Sequence, residues 1–252
     1  MRRIDRSDCN ERPTAGGSSP YEEMAGEYYD ATRHPTCANF AEGSRLLLRK
    51  WLGVAMSTRE WICEVGAGRS LLAELCSTLG HPLHHALLTD LSYSMLSYSL
   101  RWKELGATLA IADARCLPFA SDSLSVLVSS LGDPYNYFEF WHEVFRVLKP
   151  GGTVQFTMPS HAWAASYRSA SGATAMAADF ETADGRVVRV PSVIYPEEKQ
   201  RELIQGCGLA VVEVGEVRIS QLTSPAISPK LLVRKRGVEA SVVTGYLITK
   251  PS

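Results

Sequence analysis

The sequence predicts an α/β fold in which a mostly parallel sheet carries helices on both faces. Three observations predict this class. Short apolar segments alternate with helical patterns between residues 60 and 158. The first apolar segment runs into an acid and two closely spaced glycines, in the stretch WICEVGAGRSLL (residues 61–72). The second ends in another acid, Asp90. Such alternation is typical of parallel βαβ units.

Hydrophobic periodicity and turn signals define the elements in order. Ser92 is the expected N-cap of its helix, because its hydroxyl can accept a hydrogen bond from the first turn. Asp184-Gly185 predicts a hairpin within residues 180–190, and residues 149–152 (KPGG) predict a turn before a strand. The predicted helices are 21–29, 38–52, 69–79, 92–104, 137–148 and 196–207. The predicted strands are 60–65, 83–89, 108–112, 124–130, 153–158, 209–219 and 241–249.

The composition is that of an ordinary globular protein. Of the 252 residues, 45% are hydrophobic and 21% are charged, and the formal net charge of -1 does not favour nucleic acid as a partner. We expect a polar, disordered tail over residues 1–20 and a single domain over residues 21–252. The six scattered cysteines lack zinc-site spacing, so we expect reduced thiols and no metal. No apolar run suits a membrane span or a signal peptide, so we expect a cytoplasmic protein without a membrane partner.

The glycine stretch predicts a ligand site at the end of the first strand. Ligands of α/β sheets bind beyond the carboxyl ends of the strands, where bare backbone allows close approach. Dinucleotides and S-adenosylmethionine are both bound in this way. A dinucleotide fingerprint needs a third glycine where this chain has Leu71, and Glu64 suits a cationic ligand better than a pyrophosphate. Asp90 could hold both ribose hydroxyls, and Asp113 could lie near an adenine amino group.

With these residues in place, the sequence resembles the class I S-adenosylmethionine-dependent methyltransferases. It is similar in particular to the branch with the ubiquinone and menaquinone biosynthesis enzymes, whose domain is the methyltransferase type 11 domain. The resemblance implies a Rossmann-like sheet of seven strands with an antiparallel last strand, S-adenosylmethionine as cofactor and S-adenosylhomocysteine as product. Two departures are Ser70, where the family often has a third glycine, and Leu124-Ser125, where it often has Phe-Asp. The matching pieces are CEVGAG (63–68), LLTDLSYSML (87–96), ADARCLPF (112–119) and EVFRVLKPGG (143–152).

The resemblance also implies which residues meet the cofactor. Tyr28 and Tyr29 belong to a helix that would cover it, and an aromatic face near the sulfonium would contribute about 1 kcal/mol. Alternatively, the two tyrosines only pack the helix. The expected cofactor contacts are Tyr29, Glu64, Gly66, Ala67, Gly68, Asp90, Leu91, Asp113, Ala114 and Ser130.

The acceptor side is less defined, and the catalytic residues stay unknown. Residues 132–136 (GDPYN) partly match the acid-Pro-Pro-aromatic loop of some nitrogen-directed methyltransferases, so Asp133 and Tyr135 are candidates. His161 follows the fifth strand and is a candidate base, or an ordinary surface residue. Residues 160–196 are the expected insertion on the substrate side. The basic run 234–236 is either a solvated loop or a phosphate or nucleic-acid contact.

Three functions remain open at this stage. The leading hypothesis is a small-molecule methyltransferase that uses direct in-line displacement, because the branch resembled acts mostly on small metabolites. The second is a methyltransferase that acts on protein or RNA. The third is a non-catalytic protein that binds S-adenosylmethionine. The acceptor and the oligomeric state do not follow from the sequence.

Overall fold

A computed structural model describes residues 19–55, 60–172, 176–224, 226–235 and 239–252, with only the backbone described at 53–55 and 233–235. The predicted tail therefore lies outside the described residues, apart from its last two. The helices are α1 (Pro20–Tyr28), α2 (Pro35–Ala55), α3 (Leu71–Thr78), α4 (Tyr93–Ser97), α5 (Leu100–Lys103), α6 (Phe138–Val147), α7 (His161–Ser171) and α8 (Glu197–Gly206). The strands are β1 (Ile62–Val65), β2 (Ala86–Asp90), β3 (Thr108–Ile111), β4 (Leu124–Ser129), β5 (Leu148–Pro159), β6 (Ala177–Glu181), β7 (Val187–Pro191), β8 (Ala210–Arg218) and β9 (Ser241–Thr249).

Seven strands form one sheet in the order β3-β2-β1-β4-β5-β9-β8. The first five in that order are parallel, and β9 runs antiparallel to both β5 and β8. The register brings Cys63 of β1 opposite Leu87 on one side and Leu127 on the other. The predicted Rossmann-like fold with an antiparallel last strand is confirmed. The strand order reverses between β1 and β4, which is where such sheets bind their ligands.

Alternation along β1 explains why helices cover both faces of the sheet. Ile62 points into a cluster with Leu72 and Leu88, and Cys63 points into another with Leu127 and Trp141. All six are buried. Period-two alternation sends successive side chains to opposite faces. Two cores therefore sandwich the sheet, one under α3 and one under α6.

Two predicted elements differ from the structure. The predicted helix 92–104 is two short helices, α4 and α5, separated near Ser99. The buried Ser99 hydroxyl donates to the carbonyl of Gly68 at 2.6 Å and accepts from the amide of Ser70 at 3.0 Å, so this break serves the glycine loop. The predicted turn at 149–152 lies within β5, where the pairing with β4 shifts register. Ser92 is confirmed as an N-cap, because its hydroxyl accepts from the amide of Met95 at 3.0 Å.

The strands β6 and β7 form the predicted hairpin, outside the main sheet. The hairpin packs on α1, where Met24 meets Phe180, Val188 and Val190 in a small apolar cluster separate from the two cores. Glu27 of α1 accepts from the amide of Ala183 at 3.0 Å. We call α1 and this hairpin the cap.

Two further sequence expectations can be compared with the described residues. The five cysteines that the structure describes form no disulfide bond among themselves, and three of them are buried. Among the described helices, none has the length and apolar character that crossing a membrane requires.

Candidate functional site

Two adjoining cavities open at the carboxyl ends of the parallel strands. The first cavity, about 430 Å³, lies over the ends of β1 and β2. The second cavity, about 990 Å³, lies between the cap, α7 and the segment 228–230. The two adjoin because they share lining residues. The shared residues are Tyr21, Tyr28, His34, Cys37, Leu131 and Pro134.

Most of the predicted cofactor contacts surround the first cavity. Gly68 is the one that does not line it directly, although it belongs to the same loop. The predicted residues that line it are Tyr29, Glu64, Gly66, Ala67, Asp90, Leu91, Asp113, Ala114 and Ser130.

Glu64 is the penultimate residue of β1 and is fully buried. Its carboxylate accepts hydrogen bonds from the Ser70 hydroxyl, from the Leu72 amide at 3.2 Å and from the Ser130 hydroxyl at 3.1 Å. Burial raises the pKa of Glu64 to about 7, against the opposing effect of these hydrogen bonds. Ser70, the departure from the family pattern, is thus the N-cap of α3 and a partner of the acid. A positive charge in the cavity would stabilise the ionised form of Glu64.

Asp90 ends β2 with both carboxylate oxygens already oriented by backbone. One oxygen accepts from the amide of Gly68 and the other from the amide of Ser92, each at 2.9 Å. Burial raises the pKa of Asp90, although these hydrogen bonds oppose the shift. Each oxygen keeps a second acceptor position. Asp90 is therefore positioned to receive a pair of hydroxyls from one ligand.

The two motif glycines each lie against a tyrosine. A Cβ at Gly66 would meet the Tyr135 hydroxyl, and a Cβ at Gly68 would meet the Tyr29 hydroxyl. Both glycines also have positive φ, 66° and 42°, a region that L side chains rarely adopt. The Tyr29 hydroxyl accepts from the amide of Arg69 at 2.7 Å. Only glycine lets the loop lie this close to the tyrosines.

Asp113 follows β3, and its carboxylate binds the side chain of Arg115. Arg115 donates to both oxygens, at 3.0 Å and 2.6 Å, and its amide donates at 2.9 Å. These bonds with Arg115 hold the pKa of Asp113 below its usual range although burial opposes them. A ligand amino group would have to share this carboxylate with a guanidinium, so the adenine role stays a prediction.

The three catalytic candidates are not together. Tyr135 lines the first cavity, and its hydroxyl donates to the carbonyl of Val65 at 2.7 Å. Asp133 lines the second cavity, where burial raises its pKa to about 7. His161 begins α7 and is not among the residues that line either cavity. Of the three, Asp133 is the titratable group beside the second cavity.

The second cavity has aromatic and charged walls that sequence reasoning missed. Trp163 and Tyr167 stack on α7, with ring centroids 5.3 Å apart, and Arg168 follows them. Tyr21 could have been found, because Tyr21, Met24 and Tyr28 recur at helical spacing on one face of α1. The basic run 234–236 lies outside the described part of the chain, apart from the backbone of Arg234 and Lys235.

The donors and acceptors of the first cavity fit a cationic nucleoside. The two ends of β1 and β2 present carboxylates, which suit hydroxyls and positive charge and would repel a pyrophosphate. The loop of Gly66 and Gly68 gives the space that a bulky ligand needs near backbone. S-adenosylmethionine has this chemistry, with a ribose diol, an ammonium and a sulfonium.

Part of the chain matches a known protein family. Residues 62–152 match the model of a family described as a methyltransferase domain. No curated protein matches the chain by sequence. The matched segment runs from β1 to the beginning of β5 and so contains the glycine loop, Asp90 and Asp113.

Solved structures share the fold at low sequence identity. The chain is similar to a protein in the complex of the Haloferax volcanii Trm112 methyltransferase activator with a candidate methyltransferase, with a TM-score of 0.65, 16% identity and coverage of 92% of this chain and 99% of that one. It is also similar to an S-adenosylmethionine-dependent methyltransferase of Mesorhizobium loti, with a TM-score of 0.57, 17% identity and coverage of 83% of this chain and 99% of that one. A third similar structure is Haemonchus contortus phosphoethanolamine N-methyltransferase 2, bound to phosphomonomethylethanolamine and S-adenosylhomocysteine. Its TM-score is 0.62 at 16% identity, and the match covers 94% of this chain and 61% of that one.

The chain thus matches a methyltransferase domain over residues 62–152 and shares its fold with methyltransferases of known structure. The residues around the first cavity are those that would hold S-adenosylmethionine.

Proposed function

We propose that the chain transfers a methyl group from S-adenosylmethionine to a small-molecule acceptor by direct in-line displacement. The observation that carries this proposal is the pair of adjoining cavities that share six lining residues. The second cavity is within the size range of small-molecule sites, and the cap closes over it. An acceptor held there would face the cofactor across Tyr21, Cys37 and Pro134.

The residues act mainly by positioning. When bound, S-adenosylmethionine supplies an electrophilic methyl group on a sulfonium that is already a good leaving group. Asp90 would orient the ribose, Glu64 would neutralise positive charge, and the cap would exclude water. Holding both reactants in line can account for roughly 7 to 11 kcal/mol of a barrier. Because the cofactor supplies the reactive group and the protein supplies the positioning, a site without an evident catalytic triad can still be an active site.

Asp133 is the group that we propose to hold a proton. Its pKa of about 7 leaves a substantial fraction ionised at neutral pH, because the buried carboxyl is only partly stabilised by Ser192 and Arg168. An acceptor hydroxyl or ammonium must lose its proton to attack, and a carboxylate beside the second cavity can take it. Tyr135 is less suited to this task, since its hydroxyl is committed to the Val65 carbonyl.

The finer placement rests on the sequence. The four motif segments support the branch that includes the ubiquinone and menaquinone biosynthesis enzymes, and the scattered cysteines, which lack disulfide bonds in the described residues, are in keeping with a cytoplasmic location. The Haemonchus contortus neighbour bears the name of a small-molecule methyltransferase. The Haloferax volcanii neighbour is in complex with an activator protein, so a macromolecular partner is the second candidate.

The test is isothermal titration of the purified chain with S-adenosylmethionine and then S-adenosylhomocysteine, followed by incubation with a metabolite extract filtered to remove macromolecules. We expect micromolar binding of both ligands and methyl transfer into the filtered extract. Transfer only into unfiltered extract would favour a protein or RNA acceptor. Binding with no consumption in either extract would indicate a non-catalytic binding protein, and absence of binding would overturn the proposal.

A further inference from the structure

Resting on the proposed function, we infer that the second cavity recognises an acceptor carrying an anionic group, a carboxylate or a phosphate, through Arg168 and Lys230. The inference begins from the charge pairing of the cations that line this cavity. Arg33 and His34 pair with Glu27, and Arg189 pairs with Asp179 at 2.7 Å.

Arg168 and Lys230 differ from those cations. Among the described residues, neither has a carboxylate within ion-pair distance. The Arg168 Nη2 donates to the carbonyl of Ser192 at 2.7 Å and to its hydroxyl at 3.3 Å. Its Nε and Nη1 make no hydrogen bond within the described part of the chain. A guanidinium has five donors in a planar fork that matches carboxylate and phosphate, and most of this fork is unused.

Arg168 is also partly buried, and burial there lowers its pKa against the opposing charge of Asp133. Taking a cation out of water is costly unless a negative charge or acceptor compensates it. Asp133 compensates only in part, because burial keeps its own pKa near 7. An incoming anion would complete the pairing of Arg168.

Lys230 approaches the same place from another segment. Its carbonyl accepts from the Trp163 indole at 2.9 Å, which fixes the 228–230 segment against α7. Lys230 lines the second cavity together with Arg168 and Cys37. Two cations from separate walls thus face one space, next to the stacked Trp163 and Tyr167. An aromatic or otherwise flat acceptor body would fit beside those rings.

The experiment uses the full chain saturated with S-adenosylhomocysteine, so that the anionic probes cannot bind where the carboxylate of this product binds. Inorganic phosphate, phenyl phosphate and benzoate are titrated separately at constant ionic strength. We expect at least one to bind saturably at one site, and its dissociation constant to rise at least tenfold in Arg168→Gln and several-fold in Lys230→Gln. Tighter binding of phenyl phosphate than of benzoate would identify a phosphate acceptor, and the reverse order a carboxylate.

Arg189→Gln is the matched control, because Arg189 lines the same cavity but is paired with Asp179 and exposed. The Arg189→Gln variant should bind the probes with the same affinity as the wild type. Arg168→Lys, which keeps the charge, should recover part of the affinity and guards against a folding defect. Binding of no probe, equal binding in Arg168→Gln, or an equal loss in Arg189→Gln would each overturn the inference. If S-adenosylhomocysteine itself fails to bind, the proposed function fails, and Arg168-dependent anion binding by the free chain would still support this site.

Discussion

In the first cavity the backbone orients the polar groups, whereas the second cavity is formed by side chains of segments that are distant in the sequence. Asp90 is oriented by the amides of Gly68 and Ser92, and Glu64 sits at the end of a central strand. The second cavity instead depends on the contact of Met24 with the hairpin, on Arg168 and on Lys230. A site built on strand ends tolerates change elsewhere in the chain. A site built from side chains can take a new ligand after few substitutions, which is how one fold comes to serve many acceptors.

The largest difference should appear in stability. Leu127→Ala removes a fully buried side chain between the sheet and α6, and we expect the free energy of unfolding to fall by about 2–5 kcal/mol. Val188→Ala in the cap should cost about 1 kcal/mol or less and mainly increase hydrogen exchange in the cap, because its cluster is small. Denaturant unfolding and exchange mass spectrometry measure the two effects. Equal global losses would show that the cap and the core unfold as one unit.

A second test concerns the buried acid of the first cavity. The pKa of Glu64 lies at about 7 in the folded chain and at 4.5 ordinarily. Its stabilising contribution is therefore complete below pH 4.5 and is lost as the pH rises through 7. At 1.36 kcal/mol per pH unit, the loss is about 3 kcal/mol.

Glu64→Gln should remove this loss, so its stability should change less between pH 5 and pH 8 than that of the wild type. Unfolding free energies of the two proteins across that range provide the measurement. The buried Asp133, whose pKa is also about 7, titrates in both proteins and cancels in their difference. Glu60→Gln, at an exposed acid beside the same strand, should keep the wild-type pH profile. Parallel profiles for wild type and Glu64→Gln would contradict the assignment.

The third prediction separates contact from backbone strain in the glycine loop. Gly66→Ala should weaken S-adenosylmethionine binding about 100-fold, because its Cβ would displace Tyr135, whose Cε1 would lie at 3.0 Å. Gly80→Ala has the same problem of positive φ, 74°, but meets nothing within 4 Å. It should lose about 1 kcal/mol of stability and no affinity. Calorimetry on both variants decides, and a comparable loss of affinity in Gly80→Ala would mean that the loop acts through stability alone.

The smallest expected effect is at Asp90. Asp90→Ala should raise the dissociation constant of S-adenosylmethionine at least tenfold, because hydrogen bonds to a charged carboxylate are lost. Asp179→Ala, which changes an exposed acid of the second cavity, should leave that constant unchanged. A 2′-deoxy analogue of S-adenosylhomocysteine should bind both Asp90→Ala and wild type weakly and to a similar degree. If wild type binds the analogue as tightly as the ribose form, the ribose assignment of Asp90 is wrong.

The parts of the site that the sequence could predict are those made by contiguous residues. Glu64 and Asp90 lie at the ends of strands and the glycines directly after one, and parallel strands bring their ends together without further information. The break between α4 and α5 was not predicted, because the signal is a hydrogen bond from Ser99 to a loop 31 residues earlier in the chain. Arg168 and Lys230 come from segments without a motif. That both line the second cavity depends on how α7 packs against the segment 228–230.

The position of β9 in the sheet also governs the order of folding during synthesis. β9 lies between β5 and β8, yet it is the last of the three to leave the ribosome, and in the described sheet β8 pairs with β9 alone. Until β9 emerges, β5 and β8 both present unpaired backbone, which is a template for pairing with other chains. A nascent chain that pauses between residues 218 and 241 therefore leaves one edge of β5 and both edges of β8 unpaired. The insertion of β9 pairs β5 and β8 in a single step and leaves β8 with one free edge, so the chain then exposes less unpaired backbone to other chains.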